Sequence, residues 1–157
     1  FHFPRRTSRG GISATDWIRP ADIDGDYVGL FVVTSGVDTS VRAAELRDEG
    51  RLLDSLILQA LSIELAEATA EWLHQFMRIE WGISDTPETT LADLFHKRYR
   101  GVRLSFGYSA CPDLEDQQSL FHLLNPERIG VSLMEGLMME PEGSVSAVVF
   151  HHPEGRY

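Results

Sequence analysis

The 157-residue sequence contains little cysteine, few basic residues and no long apolar run. Its single cysteine, Cys111, excludes an internal disulfide and a zinc site built from cysteines, and is typical of a reducing cytoplasm. Fourteen Lys and Arg residues stand against 24 Asp and Glu residues, giving a net charge of −10. This balance argues against a nucleic-acid surface, because phosphate binding needs a basic face. No apolar run reaches the roughly 18 residues of a membrane helix, so we expect a cytoplasmic protein without membrane contact.

Further absences concern the organisation of the chain. The sequence has no internal repeat, linker or low-complexity tract, and its length suits one domain, 1–157, with its own core. A hydrophobic content of 43% and a charged content of 24% are those of a globular protein. The first residue is Phe1 rather than Met, with no signal-peptide pattern, so we expect a C-terminal module of a longer chain.

Local patterns predict an α+β fold. The Val-rich and Phe-rich run 27–34 predicts a strand, and 40–81 predicts a helix that could break near Gly50. Shorter helices are expected at 91–99 and 113–124, and strands at 131–135, 137–140 and 144–151. Because the turns between the last strands are short and helices do not alternate with strands, we expect an antiparallel β-sheet packed with a long central helix and shorter helices.

The central helix has its large apolar residues at helical spacing. These positions are Leu53, Leu56, Ile57, Ala60, Leu61, Leu65, Ala68, Trp72, Phe76 and Ile79. A stripe of this kind usually faces the core, so we predict that these residues form the spine of the domain.

The segment 103–112 concentrates residues suited to ligand binding. Arg103 can hold a carboxylate through two parallel bonds, and Gly107 lets the backbone approach a ligand that a Cβ would block. Tyr108 offers an apolar ring with a polar tip. From the residues alone, an ion pair that tethers Arg103 to a nearby acidic residue is the simpler interpretation.

This segment resembles the Arg-x-x-x-Gly-Tyr-Pro-Ala-Cys-Pro signature of the activation domain of cobalamin-dependent methionine synthase. Five further stretches match landmarks of that family in the right order: 1–5 (FHFPR), 16–20 (DWIRP), 26–34 (DYVGLFVVT), 65–74 (LAEATAEWLH) and 152–153 (HP). The resemblance covers essentially the whole chain. It implies a module that binds S-adenosylmethionine and presents the sulfonium methyl to cob(I)alamin during reductive methylation of inactive cob(II)alamin.

The resemblance also implies which residues meet the ligand. The matching arginine of the family, here Arg103, contacts S-adenosylmethionine, and Glu67 aligns with a glutamate on the ligand side. The other implied ligand-binding positions are Ser105, Gly107, Tyr108, Ala110 and Tyr157. Tyr108 is also expected to contact cobalamin. No residue is implied as a catalytic acid or base, and no metal site is assigned, because the neighbouring His151 and His152 of a strand end must point to opposite faces.

Cobalamin itself must come from another domain of the same enzyme. The sequence has no Asp-x-His-x-x-Gly motif, by which methionine synthases place a histidine beneath cobalamin. The resemblance therefore implies two partners, the cobalamin-binding domain and a flavodoxin-like electron donor. Two residues depart from the signature, since Phe106 and Ser109 stand where proline is usual. The loss of two rings is expected to loosen the loop and to weaken ligand affinity.

Two alternatives remain open at this point. The chain could be a non-enzymatic docking domain that only holds the cobalamin domain in its reactivation conformation. It could also be a separate reactivator of other corrinoid methyltransferases. The residues of the chain do not distinguish this last possibility from the reactivation module.

Overall fold

The structure, a computed structural model, describes residues 1–5, 11–23 and 25–155. Its helices are α1 (Val37–Asp48), α2 (Leu52–Glu80), α3 (Leu91–Phe95) and α4 (Asp116–Leu124), with short 3₁₀ helices at Ala14–Trp17 and Pro126–Ile129. Its strands are β1 (Gly29–Thr34), β2 (Val102–Leu104), β3 (Ser132–Leu133), β4 (Met139–Glu140) and β5 (Ser144–Phe150). The antiparallel pairs β2–β5 and β3–β4, together with a 29-residue helix, confirm the predicted α+β class.

The main sheet has three strands in the order β1-β5-β2. Strand β2 runs antiparallel to β5, so that Arg103 lies opposite Val149. All seven residues of β5 are buried, as expected of the central strand of the sheet. Strands β3 and β4 form a separate two-stranded antiparallel hairpin.

The chain forms two compact units. Unit 1 contains Phe1–Leu30, Trp72–Leu114 and Ala147–Tyr157, and unit 2 contains Phe31–Glu71 and Glu115–Ser146. Buried residues of unit 1 include Trp17, Val102, Leu104, Phe106 and Phe150, and those of unit 2 include Phe31, Leu46, Leu120, Phe121 and Val131. The assignment of 1–157 to a single domain stays a prediction.

The predicted break in the central helical region is confirmed. Helix α1 ends at Asp48 and α2 begins at Leu52, with Gly50 between them at a φ of +78°. This left-handed conformation is one that glycine adopts without the steric cost of a Cβ.

The predicted orientation of α2 was wrong. Its large apolar residues face solvent, with exposed fractions of 70% for Leu53, 61% for Leu61 and 63% for Trp72. The other residues of the predicted spine are exposed as well. The buried positions of the helix are instead small or polar: Ser55, Ser62, Ala66, Ala70, His74 and Arg78. Helical periodicity correctly separates the two faces of α2, but the face with small side chains is the one that packs inward.

Small residues let α2 approach its neighbours in unit 2 closely. The Ser62 and Ser35 hydroxyl oxygens are 2.5 Å apart, and the Ser55 hydroxyl donates to the Ala43 carbonyl at 2.6 Å. A Cβ added to Gly143 would collide with the hydroxyl groups of Ser62 and Ser35. The hydrogen-bonded serines of α2 and the absence of a Cβ at Gly143 therefore allow α2 to pack closely against its neighbours in unit 2.

Candidate functional site

The predicted signature begins on a strand. Val102 and Leu104 of β2 are buried, with exposed fractions of 3% and 1%, and Arg103 lies between them with its side chain half-buried on the opposite face of the strand. The preceding residue, Gly101, has a φ of +93°, and a Cβ there would lie 2.9 Å from the Phe150 carbonyl oxygen. Glycine is therefore needed to bring β2 alongside β5, which fixes the position of Arg103.

The residues after β2 form a closed turn. The Gly107 N–H donates to the Cys111 carbonyl at 2.8 Å, and the Cys111 N–H donates to the Tyr108 carbonyl at 3.0 Å. Gly107 has a φ of +88°, a left-handed backbone conformation that favours glycine. This conformation, rather than crowding by a neighbouring group, explains the glycine at this position of the signature. The Tyr108 side chain at the tip of the turn is 66% exposed. The turn thus presents an aromatic ring on the surface of unit 1.

Phe106 lies beneath this turn and is 4% exposed. Its ring stacks on Phe1, with the centroids 6.0 Å apart and the planes 12° from parallel. At the position where the resembled signature predicts a proline, this chain therefore has a buried aromatic ring. This packing acts against the loosening expected at position 106, and Ser109 is exposed. The weaker ligand affinity expected from the two replacements stays a prediction.

A cavity of about 240 Å³ lies beside Arg103 in unit 1. Its lining consists of His96, Lys97, Tyr99, Gly101, Val102, Arg103 and Gly155. Two cations, Arg103 and Lys97, therefore face one hollow together with an aromatic ring. Such a lining favours an anionic group, and the planar guanidinium suits a carboxylate in particular.

A buried ion pair supports the wall of the cavity. The Arg78 guanidinium is 0% exposed and donates to Asp85 at 2.8 Å, while its central carbon lies 3.8 Å from the ring centroid of Tyr99. Gln75 adds a hydrogen bond to Asp85 at 3.3 Å. Because Tyr99 lines the cavity, this pair holds one of its walls in place.

His74 lies next to the same wall. Its ring meets Tyr99 edge to face, with centroids 5.4 Å apart, and its Nε2 lies 3.8 Å from where a Cβ of Gly101 would be. The side chain is fully buried, and within the described part of the chain neither ring nitrogen has a hydrogen-bond partner. Burial above all, then the charges of Arg78, Arg103 and Lys97, lower the pKa of His74 to about 3, against an opposing effect of Asp85. The ring is therefore neutral at physiological pH.

The two histidines after β5 are engaged in local structure. His151 Nε2 lies 2.7 Å from Asp26, and its ring stacks on Tyr27 with centroids 4.4 Å apart. A hydrogen bond from the Arg19 N–H, together with the His151 contact, lowers the pKa of Asp26. His152 Nδ1 accepts the Glu154 N–H at 3.2 Å. These contacts direct the chain toward Gly155 at the cavity.

The structure brings together some of the predicted site residues. Arg103, Ser105, Gly107, Tyr108 and Ala110 all belong to unit 1, and Arg103 is the member that lines the cavity. Glu67 lies on the exposed part of α2 and belongs to unit 2. Tyr157 lies outside the described residues. The ligand-binding roles of all these residues stay predictions.

Sequence reasoning missed most of the cavity lining. The sequence patterns did not indicate a ligand-binding role for Lys97, Tyr99, Gly101 or Gly155. The useful signal is the segment 97–103, which holds four basic residues in an acidic chain. Its position directly before the signature could have indicated that it belongs to the same site.

The described residues contain neither a cluster of metal-binding side chains nor a membrane-spanning helix. Across 1–5, 11–23 and 25–155, no three His, Cys, Asp or Glu side chains are grouped so that they could hold a metal ion. In those same ranges no helix has the length and apolar character needed to cross a membrane.

Comparison with known proteins gives consistent results. Residues 3–157 match the family described as vitamin B12 dependent methionine synthase, activation domain. The methionine synthase of Mycobacterium tuberculosis is 38% identical over 169 aligned positions, which cover 100% of this chain and 14% of that protein. The methionine synthase of Mycobacterium leprae is 37% identical with the same coverage. The chain thus spans about a seventh of the length of these relatives.

A solved structure agrees with this assignment. The crystal structure of the MetH reactivation domain bound to AdoHcy is 33% identical and superimposes with a TM-score of 0.76, covering 83% of this chain and 41% of that one. The fold, the signature turn and the match over residues 3–157 therefore lead to one conclusion. This chain belongs to the activation domain family of vitamin B12-dependent methionine synthase.

Proposed function

We propose that this chain binds S-adenosylmethionine and that Arg103 holds the carboxylate of the ligand. The observation that carries the proposal is the position of Arg103 on β2, where it faces a cavity of about 240 Å³ together with Lys97. A guanidinium and an ammonium that line one cavity favour an anion. The two parallel N–H groups of the arginine match the two oxygens of a carboxylate. The solved relative, a reactivation domain bound to AdoHcy, supports a ligand of this class.

The size of the cavity suits one end of such a ligand. Pockets that enclose whole drug-sized molecules usually measure about 300–1,000 Å³, and this cavity is smaller. The amino-acid end of S-adenosylmethionine would enter it, and the rest of the ligand would extend along the signature turn. Ser105, Gly107, Tyr108 and Ala110 would then contact the ligand, with Glu67 and Tyr157 as the further predicted contacts.

The chain would contribute positioning rather than acid–base catalysis. Arg103 and Lys97 would fix the anionic end, and the turn would hold the sulfonium carbon at the surface of unit 1. Tyr108, which is 66% exposed, would face the corrin and restrict water. Cobalamin, carried by another domain of the same cytoplasmic enzyme, would supply the nucleophile that takes the methyl group, and a flavodoxin-like protein would supply the electron.

Replacing Arg103 with alanine should weaken ligand binding about 10- to 100-fold. The reason is the loss of a charge-assisted bidentate contact, which is worth about 1.5–3 kcal/mol. Calorimetric titration of S-adenosylmethionine and of AdoHcy into the full-length enzyme that carries this chain measures the effect.

Arg128→Ala is the matched control, because it removes an exposed arginine from the 3₁₀ helix of unit 2. It should bind both ligands as the unchanged enzyme does. Equal affinities of the Arg103→Ala and Arg128→Ala enzymes would contradict the proposal. If neither ligand binds the unchanged enzyme but the cobalamin domain still associates with Tyr108 at the contact, the docking-domain alternative would replace it.

A further inference from the structure

The outward face of α2 in unit 2 has the character of a core surface. Five large apolar side chains at spacings of three and four residues form what we term the α2 apolar face: Leu53, Leu56, Ile57, Leu61 and Leu65, with exposed fractions of 70%, 52%, 49%, 61% and 56%. The opposite face of the same segment packs inward through Ser55, Ser62 and Ala66. Large residues outside and small residues inside are the reverse of the usual arrangement.

Exposure of this kind marks an interaction surface. Full burial of one leucine or isoleucine side chain contributes about 1.5–3 kcal/mol, and all five side chains of this face have exposed fractions between 49% and 70%. Single exposed leucines are ordinary, but a contiguous apolar patch indicates a partner. The α2 apolar face is therefore expected to be covered in the functional protein.

Charge narrows the choice of partner. From Leu52 to Glu71 the helix contains Asp54, Glu64, Glu67 and Glu71, and no Lys, Arg or His. A complementary surface would have an apolar centre and basic residues at its rim. A second copy of this chain would instead place the same acidic face against itself in a two-fold contact, which like charges disfavour.

The share of its relatives that this chain covers indicates one source for such a complementary surface. This chain covers 14% of the curated methionine synthases, and its match covers 41% of the solved reactivation domain. More than half of that reactivation domain therefore lies outside the matched part. A polypeptide of this family has further reactivation-domain residues available to pack on α2.

We propose that the α2 apolar face is covered by another segment of the reactivation domain of the same polypeptide, amphipathic and basic at its rim. This contact is permanent and intramolecular. It is independent of the Arg103 ligand site, so either proposal can fail without the other.

Thiol labelling of the full-length enzyme tests this proposal. Leu61→Cys places a thiol at the centre of the α2 apolar face, and Glu45→Cys places one on the exposed side of α1 in the same unit. Maleimide modification is followed by mass spectrometry on the peptide that contains each position. We expect Leu61→Cys to react at least tenfold more slowly than Glu45→Cys, and a short bifunctional cross-linker to join it to a reactivation-domain peptide outside these 157 residues.

Three results would overturn the proposal. Equal labelling rates would show that the face is open to solvent. Protection that increases with enzyme concentration would indicate a second copy. Protection that is lost when S-adenosylmethionine or a reductant changes the domain arrangement would indicate the cobalamin domain instead. Circular dichroism of both variants verifies folding, which an exposed Leu→Cys change should not disturb.

Discussion

Substituting Asp85 with alanine is expected to lower the free energy of unfolding by about 3–5 kcal/mol. The carboxylate is 11% exposed and pairs at 2.8 Å with Arg78, whose guanidinium is fully buried. Removing it takes away a counter-charge of a buried guanidinium, and a buried charge that loses a partner is costly in a low-dielectric interior. Because Arg78 also lies against Tyr99, the cavity wall should loosen together with the ion pair. Urea unfolding of the 157-residue chain, followed by circular dichroism, measures the change.

The matched control is Glu45→Ala. This glutamate pairs with Arg42 at the same distance, 2.8 Å, but both side chains are about half exposed. Exposed pairs of this kind contribute about 0.2–1 kcal/mol, so the control should change stability little. If both substitutions lower the free energy of unfolding by the same amount, Asp85 does not stabilise the buried charge of Arg78. The double change Arg78→Met with Asp85→Leu should recover part of the loss, because it removes both charges together.

Acidification is expected to destabilise the chain through His74. Its pKa in the folded state is about 3, against an ordinary value of 6.5. Between these values the unfolded chain carries a proton on this imidazole and the folded chain does not. Stability from this group is therefore complete above about pH 6.5 and is lost as the pH falls toward 3, by about 1.4 kcal/mol for each pH unit within the window.

His74→Gln should remove this contribution, because glutamine does not titrate. We expect the difference in unfolding free energy between the unchanged chain and the variant to shrink steadily from pH 7 to pH 4 in urea titrations. The comparison cancels the carboxylates that titrate in both proteins. His122→Gln, which removes an exposed imidazole from α4, is the matched control. Parallel stability curves for the unchanged and His74→Gln chains would show that the buried ring does not resist protonation.

The sequence predicts the elements of this fold better than their orientation. Gly50 and the run of helix-forming residues after it correctly indicated α1 and α2. Periodicity cannot decide which face of α2 is buried, because it records that two faces differ and not what surrounds them. Strand β2 was missed for another reason, since three residues are too few for a pattern and only pairing with β5 makes them a strand.

The sequence predicted the signature segment of the candidate site but not the other residues that line the cavity. Arg103 and the turn at Gly107 form a continuous stretch, so the sequence displays them together. Gly155 comes from a distant segment, and only folding brings it to the cavity beside Arg103 and Tyr99. The neutral state of His74 could not be predicted either, because it depends on burial and on charges contributed by several elements.

The outward leucines of α2 also affect the temperature dependence of folding. The heat capacity rises on unfolding because apolar surface becomes hydrated, normally by about 12–15 cal/mol/K per residue. Side chains such as Leu53, 70% exposed in the folded chain, are already largely hydrated and add little to this increment. For the 157 residues alone, the curve of stability against temperature is therefore flatter than chain length would indicate.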